Sequence, residues 1–158
     1  MSSTPRLLAT LALPVVFLVA ACGGGDATTA PSGDVAVPTG PAVNAVELAD
    51  SSLGQILVNR DGMTLYGFAE DPNPTESSCY DTCAENWPPL IGARTATAGE
   101  GLNQADLTKF DRTDGAVQLA YGGWPLYTYS GDFEAGDTNG QGVGAVWWVI
   151  GADGEFIQ

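Results

Sequence analysis

Two short stretches hold most of the side chains that could do chemistry in this 158-residue chain. Thr64-Leu65-Tyr66-Gly67-Phe68-Ala69-Glu70-Asp71 and Pro125-Leu126-Tyr127-Thr128-Tyr129-Ser130-Gly131-Asp132 share one pattern: Leu, Tyr, a spacer, an aromatic, two spacers, Asp. The two tyrosines lie 61 positions apart (127 minus 66). On a strand the Tyr and the second aromatic project to one face and Leu to the other, so each copy presents an aromatic pair closed by a carboxylate. Tyr66, Phe68, Asp71, Tyr127, Tyr129 and Asp132 could line one shared binding surface. The plainer reading makes the rings cross-strand packing and each Asp a partner for turn amides. Asp71 and Asp132 are also the symmetric candidates for a carboxylate pair acting on wall polysaccharide, which needs the two groups about 5–10 Å apart across a cleft.

Other chemistries are narrowed by what the chain lacks. It has no histidine, so Ser-His and Cys-His nucleophilic sites are excluded, and so is the commonest zinc and copper ligand. Met63 is the one methionine after Met1, which argues against copper storage. Cys79-x-x-x-Cys83 has neither the spacing and following His of a haem attachment site nor the two-residue gap of a redox motif. Asp137-Thr138-Asn139-Gly140-Gln141-Gly142 follows the first half of a calcium loop, with Asp137, Asn139 and Gln141 as ligand candidates. Trp148 stands where the bidentate Glu is needed, so the loop is not an EF-hand, and a Gly-rich turn accounts for the same residues. No cofactor is expected, with calcium at this loop as the alternative.

The elements that must position these residues read mainly as β. Gln55–Asn59 and Thr64–Phe68 flank Asp61-Gly62, a hairpin signal, and Leu107–Arg112 and Val117–Tyr121 flank Asp114-Gly115 in the same way. Tyr121-Gly122-Gly123-Trp124 is a tight turn into a strand over 126–129. A long loop over 130–142 precedes a closing strand over 145–150, expected beside the second motif. Ser77–Trp87 is the one helix-like start, with Ser or Asp as cap. Two Cys four apart lie one above the other on a helical turn, so a Cys79–Cys83 disulfide is expected, with Trp87 covering it and plugging one end of the core. An exposed, easily reduced pair would instead serve an envelope redox accessory protein. Residues 93–105 have no period and read as a surface loop.

The start of the chain reads as an address. Arg6 followed by the apolar run Leu7–Ala21 has the layout of a secretory signal peptide over 1–21. Val19-Ala20-Ala21-Cys22 resembles a bacterial lipobox, which makes Cys22 the lipid attachment point, in the manner of a palmitate-type acyl anchor. The Ala, Thr, Pro, Ser and Gly of 22–44 then form a flexible tether of about 22 residues reaching roughly 25 Å. Membrane lipid is the expected partner at this end, on the outer side of the cell membrane. Acidic side chains outnumber basic ones 19 to 5, for a net charge of −14, and no Lys/Arg cluster interrupts them. Nucleic acid is therefore excluded as a partner. With Cys22 lipidated, Cys79 and Cys83 are an even pair in an oxidising compartment.

Gly62-x-Thr64-Leu65-Tyr66-x-Phe68-x-x-Asp71, Ser78-Cys79, Cys83-Ala84 and Trp87-Pro88-Pro89-Leu90 resemble the bacterial lipoproteins named for a Tyr-x-(Phe/Trp/Tyr)-x-x-Asp motif, also called secreted-repeat lipoproteins. Asp114-Gly115, Gln118, Tyr121, Trp124-Pro125-Leu126-Tyr127, Asp132, Gly136–Gly142 and Val146-Trp147 resemble the second repeat of that family. The resemblance implies an exported, usually lipid-anchored protein without an established biochemical role. The expected fold is a single antiparallel β domain over 45–158. Two related repeats build it, about 54–91 and 107–157, with one short helical turn near Cys79 and Cys83. The expected role is binding or scaffolding for an envelope ligand or protein.

Overall fold

A computed structural model describes residues 44–158. The expected leader over 1–21, Cys22 and all but the last residue of the tether lie outside the described residues. The described part is built from β1 (Asn44–Ser51), β2 (Gly54–Val58), β3 (Tyr66–Phe68), α1 (Thr82–Asn86), β4 (Thr97–Ala98), β5 (Leu107–Asp111), β6 (Val117–Tyr121), β7 (Trp124–Pro125) and β8 (Trp147–Val149), with a 3-10 turn over Val143–Ala145 before β8. It is mainly β and mainly antiparallel, as expected.

Each repeat begins with a hairpin, and the two hairpins correspond. In the first, β1 pairs with β2 so that Leu48 faces Leu57. In the second, β5 pairs with β6 so that Lys109 faces Leu119. β6 returns through the Gly122-Gly123 turn to β7, with Tyr121 opposite Trp124. Both glycines take positive φ, 60° and 97°, as a two-residue turn of this hand requires. A side chain at Gly122 would also strike the backbone of Gly154 at 2.5 Å.

The repeats then close on each other. Leu65 N–H donates to Leu57 C=O, Leu57 N–H to Ile150 C=O, and Ile150 N–H to Leu65 C=O. The second repeat makes the same ring: Leu126 to Leu119, Leu119 to Leu90, Leu90 to Leu126. Ile150 belongs to the second half of the chain but closes the first junction, and Leu90 belongs to the first half but closes the second. Each repeat thus takes its third segment from the other. Tyr66 and Tyr127 meet between the junctions, each donating its N–H to the other's carbonyl at 2.8 and 2.9 Å.

This exchange corrects the expected place of the closing strand. β8 pairs with β3, the first motif, with Tyr66 opposite Val149 and Phe68 opposite Trp147. A repeat that folded back on itself would have put it beside the second motif. Two further segments differ. The sequence pattern starts its first strand at 55, yet β1, which mixes Asn, Glu, Asp and Ser with Ala, Val and Leu, pairs with β2 over Glu47–Ser51. β4 lies in the stretch expected to be loop and adds to β1 in parallel. Both rest on tertiary pairing that local composition does not announce.

Alternation along the strands sorts the core into two clusters. Leu57, Leu65, Leu119, Leu126 and Ile150 pack with Val46, Leu107 and Tyr121. Ile56, Val58, Tyr66, Tyr127, Trp87, Trp147 and Val149 pack with Cys79. The motif Leu and Tyr therefore do face opposite ways, as their spacing requires.

The helical turn differs in its cap. Cys83 lies within α1 while Cys79 precedes it, and Asp81 between them has φ 50° and ψ −127° with no side-chain cap bond. Cys83 N–H closes this turn onto Tyr80 C=O. Asp81 holds the first central position of a primed turn, where glycine is preferred, and its counterpart in the second repeat is Gly142 with φ 72°. Asp81→Gly should raise stability by about 1 kcal/mol, since relief of strain exceeds the entropy glycine adds to the unfolded chain. Urea denaturation reads this directly; an unchanged or lower midpoint would show that Asp81 is unstrained.

Candidate functional site

The two motifs are joined crosswise. Tyr66 Oη donates to Asp132 Oδ2 at 2.8 Å, and Tyr127 Oη donates to Asp71 Oδ2 at 2.7 Å. Each tyrosine is bonded to the aspartate that ends the other repeat's motif. Both phenols are 0 % exposed, and both carboxylates are buried. The tyrosines therefore contribute no area to a ligand surface, and the shared aromatic face is limited to half-buried Phe68 and Tyr129.

Each aspartate also fastens the loop that follows its strand. Asp71 Oδ1 accepts from the N–H and Oγ of Ser78 at 2.8 and 2.9 Å. Asp132 Oδ1 accepts from Asn139 N–H at 2.9 Å, seven residues on as Ser78 is from Asp71. These are the turn-amide bonds that one use of the motif implied. All partners of both carboxylates are donors, so both serve as acceptors in ionised form.

The rings form a stack across the repeat boundary. Phe68, Trp147, Trp87 and Tyr129 lie face to face in that order, with centroids 4.2, 4.0 and 4.2 Å apart. Tyr66 meets Trp87 edge-on at 5.4 Å, and Tyr127 meets Trp147 edge-on at 5.2 Å. Each such pair contributes about 0.5–1.5 kcal/mol beyond area burial. Trp87 was expected to plug one end of the core; it stands instead in the middle of this stack. The reason is Trp147, whose exchanged strand brings it against Trp87 with 2° between the planes.

Composition did not point to Arg112, which is 4 % exposed. Its Nη1 donates to Ser77 Oγ at 3.0 Å and Gln118 Oε1 at 2.6 Å, its Nη2 to Cys79 C=O at 2.9 Å, and its Nε to Asp114 Oδ2 at 3.0 Å. Ser77 Oγ lies 2.8 Å from Tyr127 Oη. Since Tyr127 gives its proton to Asp71, Ser77 donates to Tyr127, and a chain of hydroxyls links the Arg112 cation to the Asp71 anion. Gln118 Nε2 completes the cluster by donating to Leu126 C=O. The signal available beforehand was slight: Gln118 is the one polar amide in β6, while Arg112 just follows β5 and Ser77 lies in the loop before α1.

The disulfide joins Cys79 and Cys83 as expected, with Cα atoms 5.2 Å apart. Cys79 is fully buried beside Trp87 and Cys83 is half-buried, so the exposed pair that a redox accessory would present is not formed. In the calcium candidate loop, Asp137 Oδ2 accepts from the N–H groups of Phe133 and Glu134. Asn139 Nδ2 donates to Gly131 C=O. Gln141 accepts from Val149 N–H and donates to Ile157 C=O. Those side chains close the loop and dock it on β8. Among the described residues no group of three or more Asp, Glu, Cys or His is placed to hold a metal.

Burial, and then the bond and charge of Asp132, push the Tyr66 hydroxyl far above the ordinary phenol range. Burial and the charge of Asp71 do the same to Tyr127. Burial also raises both carboxyls, opposed by the donors around them, Ser78 and Tyr127 at Asp71 and Tyr66 and Asn139 at Asp132. The folded chain thus keeps protons that the unfolded chain has released. The stability these carboxyls contribute is fullest below about pH 3.9 and is lost as pH rises through their folded values. Carboxyl-carbon NMR should give both a midpoint above the ordinary Asp value, and a midpoint below it would reverse this sign. Tyr127→Phe, which removes one donor from Asp71 and the acceptor of Ser77, should cost about 1–3 kcal/mol in denaturant unfolding.

Comparison with known proteins agrees with the duplicated geometry. No curated protein and no solved structure matches the chain. The family model described as a secreted repeat of unknown function matches twice, over residues 47–91 and 108–150. The first match begins seven residues before the expected repeat boundary at 54 and takes in Glu47–Ser51 of β1, the counterpart of β5 in the second repeat. The chain therefore belongs to the family described as a secreted repeat of unknown function, and it carries two copies of that repeat.

Proposed function

We propose that this protein is a lipid-tethered, non-catalytic module of the cell envelope, a rigid two-repeat β domain that binds or spaces an envelope partner. The observation that carries the proposal is the crossed pairing of Tyr66 with Asp132 and Tyr127 with Asp71. The motif's polar atoms are bonded to one another and to loop amides, so the motif holds the repeats together.

The enzymatic alternative loses support from the same bonds, since neither carboxylate has an oxygen free of donors for a substrate. Binding falls to what remains outside the clamp. Phe133 is 83 % exposed, and its own N–H is pinned by Asp137 just beyond Asp132. An exposed apolar side chain on a chain of net charge −14 fits a partner with an apolar spot in a basic surround.

Anchoring rests on the lipobox-like Val19–Cys22, followed by the tether. Among the described residues no helix is long and apolar enough to cross a membrane. Fractionation of cells expressing the full chain tests the proposal. The parent should sediment with membranes and Cys22→Ala should be released in soluble form. Equal partition of the two would remove the anchor.

A further inference from the structure

We propose that the aromatic core is also a one-electron relay: a hole placed on the stacked Trp87–Trp147 pair passes to Tyr66 or Tyr127 as that tyrosine gives its phenolic proton to Asp132 or Asp71. This activity stands independently of the tethered-module proposal, and needs only the rings and their hydrogen bonds.

Indole is among the side chains most readily oxidised, and the two buried indoles lie parallel with centroids 4.0 Å apart, so one hole is shared by both rings. Tyr129 stacks on Trp87 at 4.2 Å and is half-buried, which provides the path from the surface. The two phenols meet the indole pair edge-on at 5.4 and 5.2 Å, one at each ring. A phenol gives up an electron easily only when a base takes its proton in the same event. Each buried phenol has such a base within hydrogen-bond distance, at 2.8 or 2.7 Å.

The carboxylates that clamp the repeats also put a proton acceptor on each phenol, buried at the desolvation cost of a charge. Burial also raises both carboxyls, which favours the proton's arrival. The nearest sulfurs are joined as a disulfide, and so offer no thiol to intercept the hole.

The balance is as follows for the first pair. A one-electron oxidant of the radical class takes one electron from the indole pair and is reduced to its anion. The indole pair regains an electron from Tyr66, whose O–H bond breaks. The proton forms a new O–H bond on Asp132 Oδ2, leaving a neutral phenoxyl radical and a neutral carboxylic acid. The second pair repeats this with Tyr127 and Asp71.

The test uses photogenerated tris(bipyridine)ruthenium(III) as oxidant on the intact protein, followed by transient absorption and freeze-quench electron paramagnetic resonance. The expected result is an indole radical that decays as a neutral tyrosyl radical grows, several-fold more slowly in deuterium oxide. Tyr66→Phe with Tyr127→Phe should abolish that tyrosyl signal and lengthen the indole radical's life several-fold. Should the double variant not fold, the parent's deuterium effect decides. An indole radical that decays without a tyrosyl product, a step indifferent to deuterium, or a tyrosyl signal that survives in a folded double variant would overturn the proposal.

Discussion

The fold turns on the place where Tyr66 and Tyr127 exchange backbone hydrogen bonds. Two equivalent residues that bond reciprocally must sit about a local twofold relation, as residues across an isologous dimer interface do. The central pairings then come in twos. The crossed phenol–carboxylate bonds, the edge-on Tyr–Trp contacts and the two three-way leucine junctions each have a partner on the other side. One chain behaves here as a dimer of small β units joined end to end.

Exchange of the closing segments makes the units dependent on each other. Without Ile150 the first hairpin leaves Leu57 N–H without an acceptor, and without Leu90 the second leaves Leu119 N–H in the same state. Such buried donors cost about 1–3 kcal/mol each, so a half-formed domain is penalised at several places at once. The polar cluster adds to this. Arg112, Ser77, Tyr127, Asp71 and Gln118 are all buried, and among the described residues no buried side-chain nitrogen or oxygen lacks a partner. A network of this kind stabilises one arrangement only when it is complete, which makes it a device for specifying the pairing of the repeats.

The halves differ where they meet the aromatic stack. In the first, the disulfide-closed turn brings Cys79 beside Trp87, with a strained Asp81. In the second, Gly140 lies where a Cβ would come within 2.8 Å of both Trp87 and Tyr66, and its N–H donates to Tyr66 Oη. The second loop reaches the phenol through its backbone, while the first reaches its phenol through the Ser77 hydroxyl. One half is held by covalent closure and a buried cation, the other by close backbone approach. That difference explains why an expectation of strict symmetry would have missed Arg112.

The sequence by itself determined the β character, the duplicated motif, the opposite facing of Leu and Tyr, the Gly-Gly turn and the disulfide. Those are decided by residues within a few positions of one another, through period-two alternation, positive φ and a short loop. Tertiary structure alone decided that the motif is a clamp and that β8 joins the first motif, that Trp87 stacks at the centre, and that β1 and β4 are strands. The physical reason is that a repeat contains its own donors and acceptors in equal number whether it closes on itself or on its twin. Local pattern is the same in both cases. The choice is made by the Trp87–Trp147 stack and the buried charges, contacts about 60 residues apart that exist only once both halves are present.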